Sequence, residues 1–302
     1  MNQTPIRTSL VLGSGGARGL AHIGVIKALE QSDRYGIGSI TGSSIGALIG
    51  GLHAAGKLEA YTDWVLDLSR ADIWQLLDFS FTGLGLFKGD RLMEKLEDLV
   101  GDTRIEDLDI PFTAVASDIE RREEVWIDEG SLFEAIRASI AIPGFFTPVE
   151  RDSRLLVDGG LLSPLPIAPV HSHDAQKTIV VSLNGLDDPS DSTPAGGRKD
   201  PVDPEPASGL NVLRGWYAEA REKLGFSPED ATNETVLEIV TKSLEAMQDR
   251  IARYQLAAHA PDLLIEIPVD SCAVLDFHRA REMIDLGHQK TRQAIEGSDR
   301  PG

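Results

Sequence analysis

The 302 residues contain a single cysteine, Cys272. It has no internal partner, so disulfides are excluded as a source of stability, and a reducing, cytoplasmic setting is the natural expectation. Long hydrophobic runs are also missing. No stretch reaches the roughly 18 apolar residues that a membrane-spanning helix needs, and Met1 to Thr8 lacks the apolar core of a signal peptide. Basic residues are scarce: 29 Lys and Arg stand against 48 Asp and Glu, a formal net charge of −19. A surface of that sign repels nucleic acid and anionic bilayers, so neither is expected as an electrostatically held partner. Any contact with lipid would be a transient, peripheral one made from solution.

What is present is an ordinary globular balance, 41% hydrophobic and 25% charged, enough for a sizeable core. Arg7 to Leu12 is a short apolar run ending in glycines, which predicts a buried strand. Ala17 to Glu30 follows at helical spacing, then a strand around Ile37 to Ile40 and a helix over Ala47 to Ala55. Strand, helix, strand, helix predicts an α/β fold with a mostly parallel central sheet. Helices are further predicted over Lys57 to Asp78, Asp90 to Val100, Leu132 to Ser139 and Thr235 to Ala258. A terminal helix over Asp276 to Ile295 is expected to break at Gly287. Strands are predicted over Phe112 to Ser117, Glu124 to Asp128, Arg154 to Val157, Lys177 to Leu183 and Asp262 to Ile267. One domain spanning 7–295 is expected. Within it, residues 184–208, rich in Pro, Asp, Ser and Gly, cannot bury enough apolar surface to order themselves and predict a mobile insertion.

Three segments carry chemistry. Gly42-Ser43-Ser44-Ile45-Gly46 is a G-x-S-x-G between a strand and a helix, a turn that lifts the serine hydroxyl clear of the backbone. The helix that follows aims its N-terminus at that serine. Gly13-Ser14-Gly15-Gly16-Ala17-Arg18-Gly19 also links strand to helix, and successive glycines let backbone N–H groups converge on an anion. It lacks the Gly-Lys-Ser/Thr of a P-loop, and Arg18 stands where a dinucleotide fingerprint needs its third glycine, which disfavours nucleotide binding. Leu155-Leu156-Val157-Asp158-Gly159-Gly160 delivers a carboxylate at a strand end, where α/β sheets place ligands.

In that order, the three segments resemble the signatures of the patatin-like phospholipase family: a glycine-rich loop ending in Arg-Gly, a G-x-S-x-G elbow and an Asp-Gly-Gly/Ala motif. Ala138-Ser139-Ile140-Ala141-Ile142-Pro143, Phe146-Thr147-Pro148-Val149 and Ser163-Pro164-Leu165-Pro166 extend the resemblance. Ser14 departs from it, since the family often has glycine there. The resemblance implies a three-layer α/β/α fold and a serine lipid acyl hydrolase. Ser44 would be the nucleophile and Asp158 its base. Gly15, Gly16 and Ala17 would form the oxyanion hole, with Arg18 bracing the loop. No metal or cofactor is implied, and the expected substrate is a phospholipid or lysophospholipid. An alternative is a lipid-binding or regulatory protein of this scaffold with little turnover.

A free aspartate titrates too low to be a good base at neutral pH. Asp158 is therefore expected to be desolvated, with its pKa raised. A Ser-His-Asp arrangement would instead draw on one of seven histidines, of which His22 and His53 lie on the two helices after the motifs. His171 and His173 are spaced i, i+2, unsuited to a helical metal site. The aromatic stretch Phe79 to Phe87 is a candidate lipid-facing lid, or else part of the core beside the site.

Overall fold

The computed structural model describes residues 4–76, 89–143, 145–168, 175–185 and 236–298. The expected lid (Phe79 to Phe87), the His171–His173 pair and residues 186–208 of the expected insertion lie outside them. The chain divides into two compact units, Met1–Asp187 with Gln248–Gly302, and Asp188–Met247.

The first unit is built on an eight-stranded sheet. Its strands are β1 (Ile6–Leu12), β2 (Tyr35–Ser43), β3 (Phe112–Asp118), β4 (Glu123–Ile127), β5 (Val149–Arg151), β6 (Arg154–Asp158), β7 (Lys177–Gly185) and β8 (Leu263–Pro268). The order is β5-β6-β3-β2-β1-β7-β8, with β4 also paired to β3. From β3 to β8 the pairings are parallel, while β4, β5 and β6 add an antiparallel end.

The helices are α1 (Ala21–Glu30), α2 (Ile45–Ala54), α3 (Leu58–Leu66), α4 (Arg70–Leu76), α5 (Asp90–Val100), α6 (Leu132–Ser139), α7 (Val236–Ala258) and α8 (Ala280–Gly297). Alternate strand residues enter different cores, as the period of two requires. Leu10, Leu12, Ile179 and Val181 join the large cluster with α1, α2, α6 and α8. Val11 and Val180 instead meet Ala252 of α7 together with Leu165 and Ile167. Helices therefore cover both faces of a mostly parallel sheet, giving three α/β/α layers.

Several elements follow from local chemistry. α6 starts where Ser131 Oγ accepts the Glu134 N–H, a side-chain cap that satisfies one orphan donor. α5 is bracketed by Gly89 and Gly101, both at positive φ, so its bounds match the expected ones. The predicted helix over Lys57 to Asp78 is two helices, α3 and α4, separated at residues 67–69.

The expected break at Gly287 does not occur, because α8 runs through it. This glycine is a contact surface instead. A Cβ on Gly287 would lie 2.0 Å from the Ala21 carbonyl oxygen, and one on Gly24 would lie 1.9 Å from that of Ile284. α1 and α8 thus approach backbone to backbone, which only a missing side chain permits. Gly287→Ala should lower stability to urea by about 1–3 kcal/mol, the usual cost of overpacking, despite the ~1 kcal/mol helix preference of alanine. An unchanged or raised urea midpoint would mean the helices separate freely.

Candidate active site

β2 ends at Ser43, and the chain turns sharply at Ser44, whose φ of 56° and ψ of −124° are unusual for a side-chain-bearing residue. Such a conformation costs on the order of 1–3 kcal/mol and persists only when neighbours over-determine it. Here they do. The Ser44 N–H donates to Ser139 Oγ at 2.9 Å, and Ser139 Oγ donates to the Val115 carbonyl at 2.6 Å. The turn is also crowded: a Cβ on Gly46 would stand 2.2 Å from the Leu12 carbonyl oxygen. Glycine is therefore required at that step. With α2 beginning at Ile45, its N-terminal amides flank the serine.

Ser44 Oγ donates to Asp158 Oδ2 at 2.5 Å. The other carboxylate oxygen, Oδ1, accepts the Gly160 N–H at 2.7 Å. Both residues are buried, 5% and 4% exposed. Burial pushes the Asp158 carboxyl up to about 7, against the opposing pull of the Ser44 and Gly160 hydrogen bonds. The desolvation expected from sequence is thus visible in the geometry.

The glycine-rich segment packs over both. Gly13 N–H donates to Val181 O at 3.0 Å, and Ser14 N–H to Pro164 O at 2.8 Å. A Cβ on Gly160 would touch Ser14 Oγ, and one on Gly19 would run into the Ile45 side chain, so loop, elbow and Asp-Gly-Gly turn are in mutual contact. Gly16 has a φ of +59° and turns the chain into a short 3-10 helix, Gly16–Leu20, where a continuous α-helix was expected. Among the described residues the Gly15 and Gly16 N–H groups have no protein acceptor. Ala17 differs: its N–H donates to the Val274 carbonyl at 2.8 Å, and so is not available to an incoming anion. Of the expected trio, only Gly15 and Gly16 keep an N–H without an acceptor among the described residues. Arg18 is buried, with Nη1 3.4 Å from both the Val269 and Cys272 carbonyls, tying the loop to the segment after β8.

His22 and His53 lie elsewhere in role. His22 is fully buried and places Nε2 2.9 Å from the Gly13 carbonyl. A carbonyl only accepts, so Nε2 carries the proton. Desolvation lowers the His22 pKa to about 4, so at neutral pH it is an uncharged brace beneath the loop. His53 faces Glu30 at 3.8 Å. Neither bonds Ser44 or Asp158. Ser139, which the sequence leaves without a role, and His22, a candidate there only for a Ser-His-Asp arrangement, are both supporting residues. The segment holding Ser139 was noticed, but its contacts are set by tertiary structure. Two surface hollows, of about 260 and 620 Å³, one lined by residues that include Phe112 and the other by residues that include Trp126, include neither member of the pair.

A serine on a strained elbow is thus bonded to a buried carboxylate beneath a glycine loop. The chain belongs to the patatin-like phospholipase family, whose model matches residues 10–171, a span holding all three motifs. It is 39% identical to an uncharacterised NTE family protein of Mycobacterium tuberculosis, over 96% of this chain and 91% of the relative. It is 26% identical to human patatin-like phospholipase domain-containing protein 6, over 97% of this chain but only 20% of that much longer protein. In three dimensions it is similar to VipD from Legionella pneumophila, with a TM-score of 0.53 at 13% identity, covering 98% of this chain and 67% of that one. That likeness speaks to fold alone.

The raised Asp158 pKa also bears on stability. A carboxyl that binds its proton more tightly when folded stabilises most below the unfolded value near 4 and loses that contribution as pH rises toward 7. Asp158→Asn should therefore be the more stable protein at pH 8, by on the order of 2–4 kcal/mol, given ~1.4 kcal/mol per unit. Urea unfolding at pH 5 and pH 8 checks this: the gap between variant and wild type should widen with pH. A constant gap would contradict the assignment.

Proposed function

We propose that the chain is a serine lipid acyl hydrolase acting through Ser44 and Asp158, with the Gly15 and Gly16 amides as oxyanion donors. The observation that carries this reading is the 2.5 Å hydrogen bond from Ser44 Oγ to Asp158 Oδ2. Ser44 Oγ attacks the acyl carbonyl carbon as its proton passes to Asp158. The carbonyl oxygen gains negative charge and moves toward the glycine amides, where each donor contributes a factor of ~10²–10³ in rate. Collapse expels the lipid alcohol, which takes the proton from Asp158 and leaves an acyl-serine. Water then repeats the sequence and releases the fatty acid.

A carboxyl titrating at about 7 suits this work, because it is a far stronger base than a solvated aspartate yet still about half ionised at neutral pH. Membership of the patatin-like family supports a lipid ester as substrate, and a phospholipid or lysophospholipid is the class we assign. The net charge of −19 favours transient contact with zwitterionic over anionic lipid surfaces, from a cytoplasmic location. Among the described residues no helix is long and apolar enough to cross a membrane. No metal or cofactor enters the scheme.

The test is mass spectrometry of a lipid extract incubated with wild type and with Ser44→Ala. Wild type should release free fatty acid and deplete one lipid class, while Ser44→Ala should release at least ~10³-fold less. Equal release by both proteins would remove Ser44 from the reaction, and with it this reading.

A further inference from the structure

Ser163-Pro164-Leu165-Pro166 follows the Asp158 turn, and the catalytic steps give it no task. Its place is between the two halves of the site. Ser163 N–H donates to the Gly159 carbonyl at 2.8 Å, tying the segment to the Asp-Gly-Gly turn. The Pro164 carbonyl accepts the Ser14 N–H at 2.8 Å, tying it to the glycine-rich loop. That loop is held at two posts: Ser14 N–H on Pro164 O, and Ala17 N–H on Val274 O. The two amides between the posts, Gly15 and Gly16, are the oxyanion donors proposed above. Their aim therefore depends on where the Pro164 carbonyl points.

Pro164 O and Leu165 N–H belong to one peptide group, which is planar. Prolines have no N–H, so Leu165 carries the one backbone donor across residues 164–166. It goes to a side chain: Gln255 Oε1 accepts it at 3.1 Å. One end of the plane is thus fixed by Gln255 and the other by Ser14, and rotating it would break both bonds together. Gln255 Nε2 also donates to Ser163 Oγ at 2.9 Å, so a single side-chain amide grips the chain on both sides of Pro164. Gln255 lies one turn of α7 beyond Ala252, which packs with Leu165 in the cluster around Val11 and Val180. Apolar packing brings the helix to this segment, and the glutamine sets the direction of its peptide.

We propose that Gln255 is a positioning residue for the oxyanion hole, setting the aim of the Gly15 and Gly16 amides through the Pro164–Leu165 peptide. This rests on the function proposed above and adds to it a residue distant in the chain. A loosened hole weakens binding of the transition state and not of the ester, so kcat should report the loss and KM should not. The Asp158 carboxylate takes its hydrogen bonds from Ser44 and Gly160, so its titration should be untouched.

The test is steady-state hydrolysis of a soluble p-nitrophenyl ester by wild type, Gln255→Met and Ser163→Ala, with fluorophosphonate labelling of Ser44 followed against pH. Methionine nearly keeps the volume of glutamine and removes both hydrogen bonds. Ser163→Ala removes one and leaves Gln255 on Leu165. Gln255→Met should lower kcat about 10-fold, short of the ~10²–10³ for a donor lost outright, with KM within about twofold of wild type. Its labelling should keep the wild-type midpoint, about 7. Ser163→Ala should show the same signs with a smaller loss, about threefold, the worth of one neutral hydrogen bond. It decides the matter alone if Gln255→Met does not fold. Unchanged kcat in either variant would overturn the proposal. So would a shifted labelling midpoint, which would place the effect at Asp158, or a rise in KM that accounts for the whole loss. Wild type that fails to label at Ser44 would overturn the underlying function instead.

Discussion

The site exists because two strands share one edge of β3. β4 occupies the other edge along Ala114 to Asp118. On the shared edge, β2 runs parallel to β3 as far as Val115, opposite Ser43. From the other direction β6 runs antiparallel and ends at Ala116, opposite Asp158. Two chain ends thus meet head to head at adjacent residues of one strand. Neither can continue straight, so both turn out of the sheet at the same place, one bearing a hydroxyl and the other a carboxylate. The 2.5 Å bond between Ser44 and Asp158 follows from that collision. Gly159 marks how tight it is, since a Cβ there would lie 1.9 Å from Val115 O and 2.7 Å from Ser43 Oγ.

Holding this geometry works against the stability of the fold. Ser44 sits in a strained backbone conformation, and Asp158 is deprived of the water that would favour its charge. Both penalties are offset locally. Ser139 links the Ser44 amide to Val115 O, replacing the strand-to-strand bond that β2 gives up as it turns. The Asp158 N–H donates to Ala141 O at 2.9 Å, anchoring β6 to the segment after α6. His22 and Arg18 perform the same service beneath the glycine loop. The result is a floor of backbone and buried hydroxyls under the Ser44–Asp158 pair, the preorganisation that the proposed reaction requires.

Much of this was legible in the sequence where local chemistry decides. α5 and α6 have the expected bounds because caps and apolar spacing agree there. The Ser44 elbow and the Asp158 turn were readable because glycines must stand where chains crowd. β2 was harder: Tyr35–Ser43 is rich in glycine and serine, poor strand formers, and its length is set by partners on both sides. β5 is three residues long, and pairing with β6, not propensity, makes it a strand. Gly287 was read as a helix break, but its role is steric and belongs to α1. The meeting of β2 and β6 was not legible from pattern at all, because no local signal reports which edge of β3 a strand will choose. Ala17 was set apart from Gly15 and Gly16 by a carbonyl from Val274, distant in the chain.

The central claim is that Ser44 gives its proton to a desolvated Asp158 and to no histidine. The rate at which a fluorophosphonate labels Ser44, followed from pH 5 to pH 9, reads this directly. It should rise about tenfold per unit in the acid range, level off above about 7 and keep that profile in His53→Gln. A rate independent of pH, or a midpoint near 4 as in a solvated carboxylate, would contradict the account.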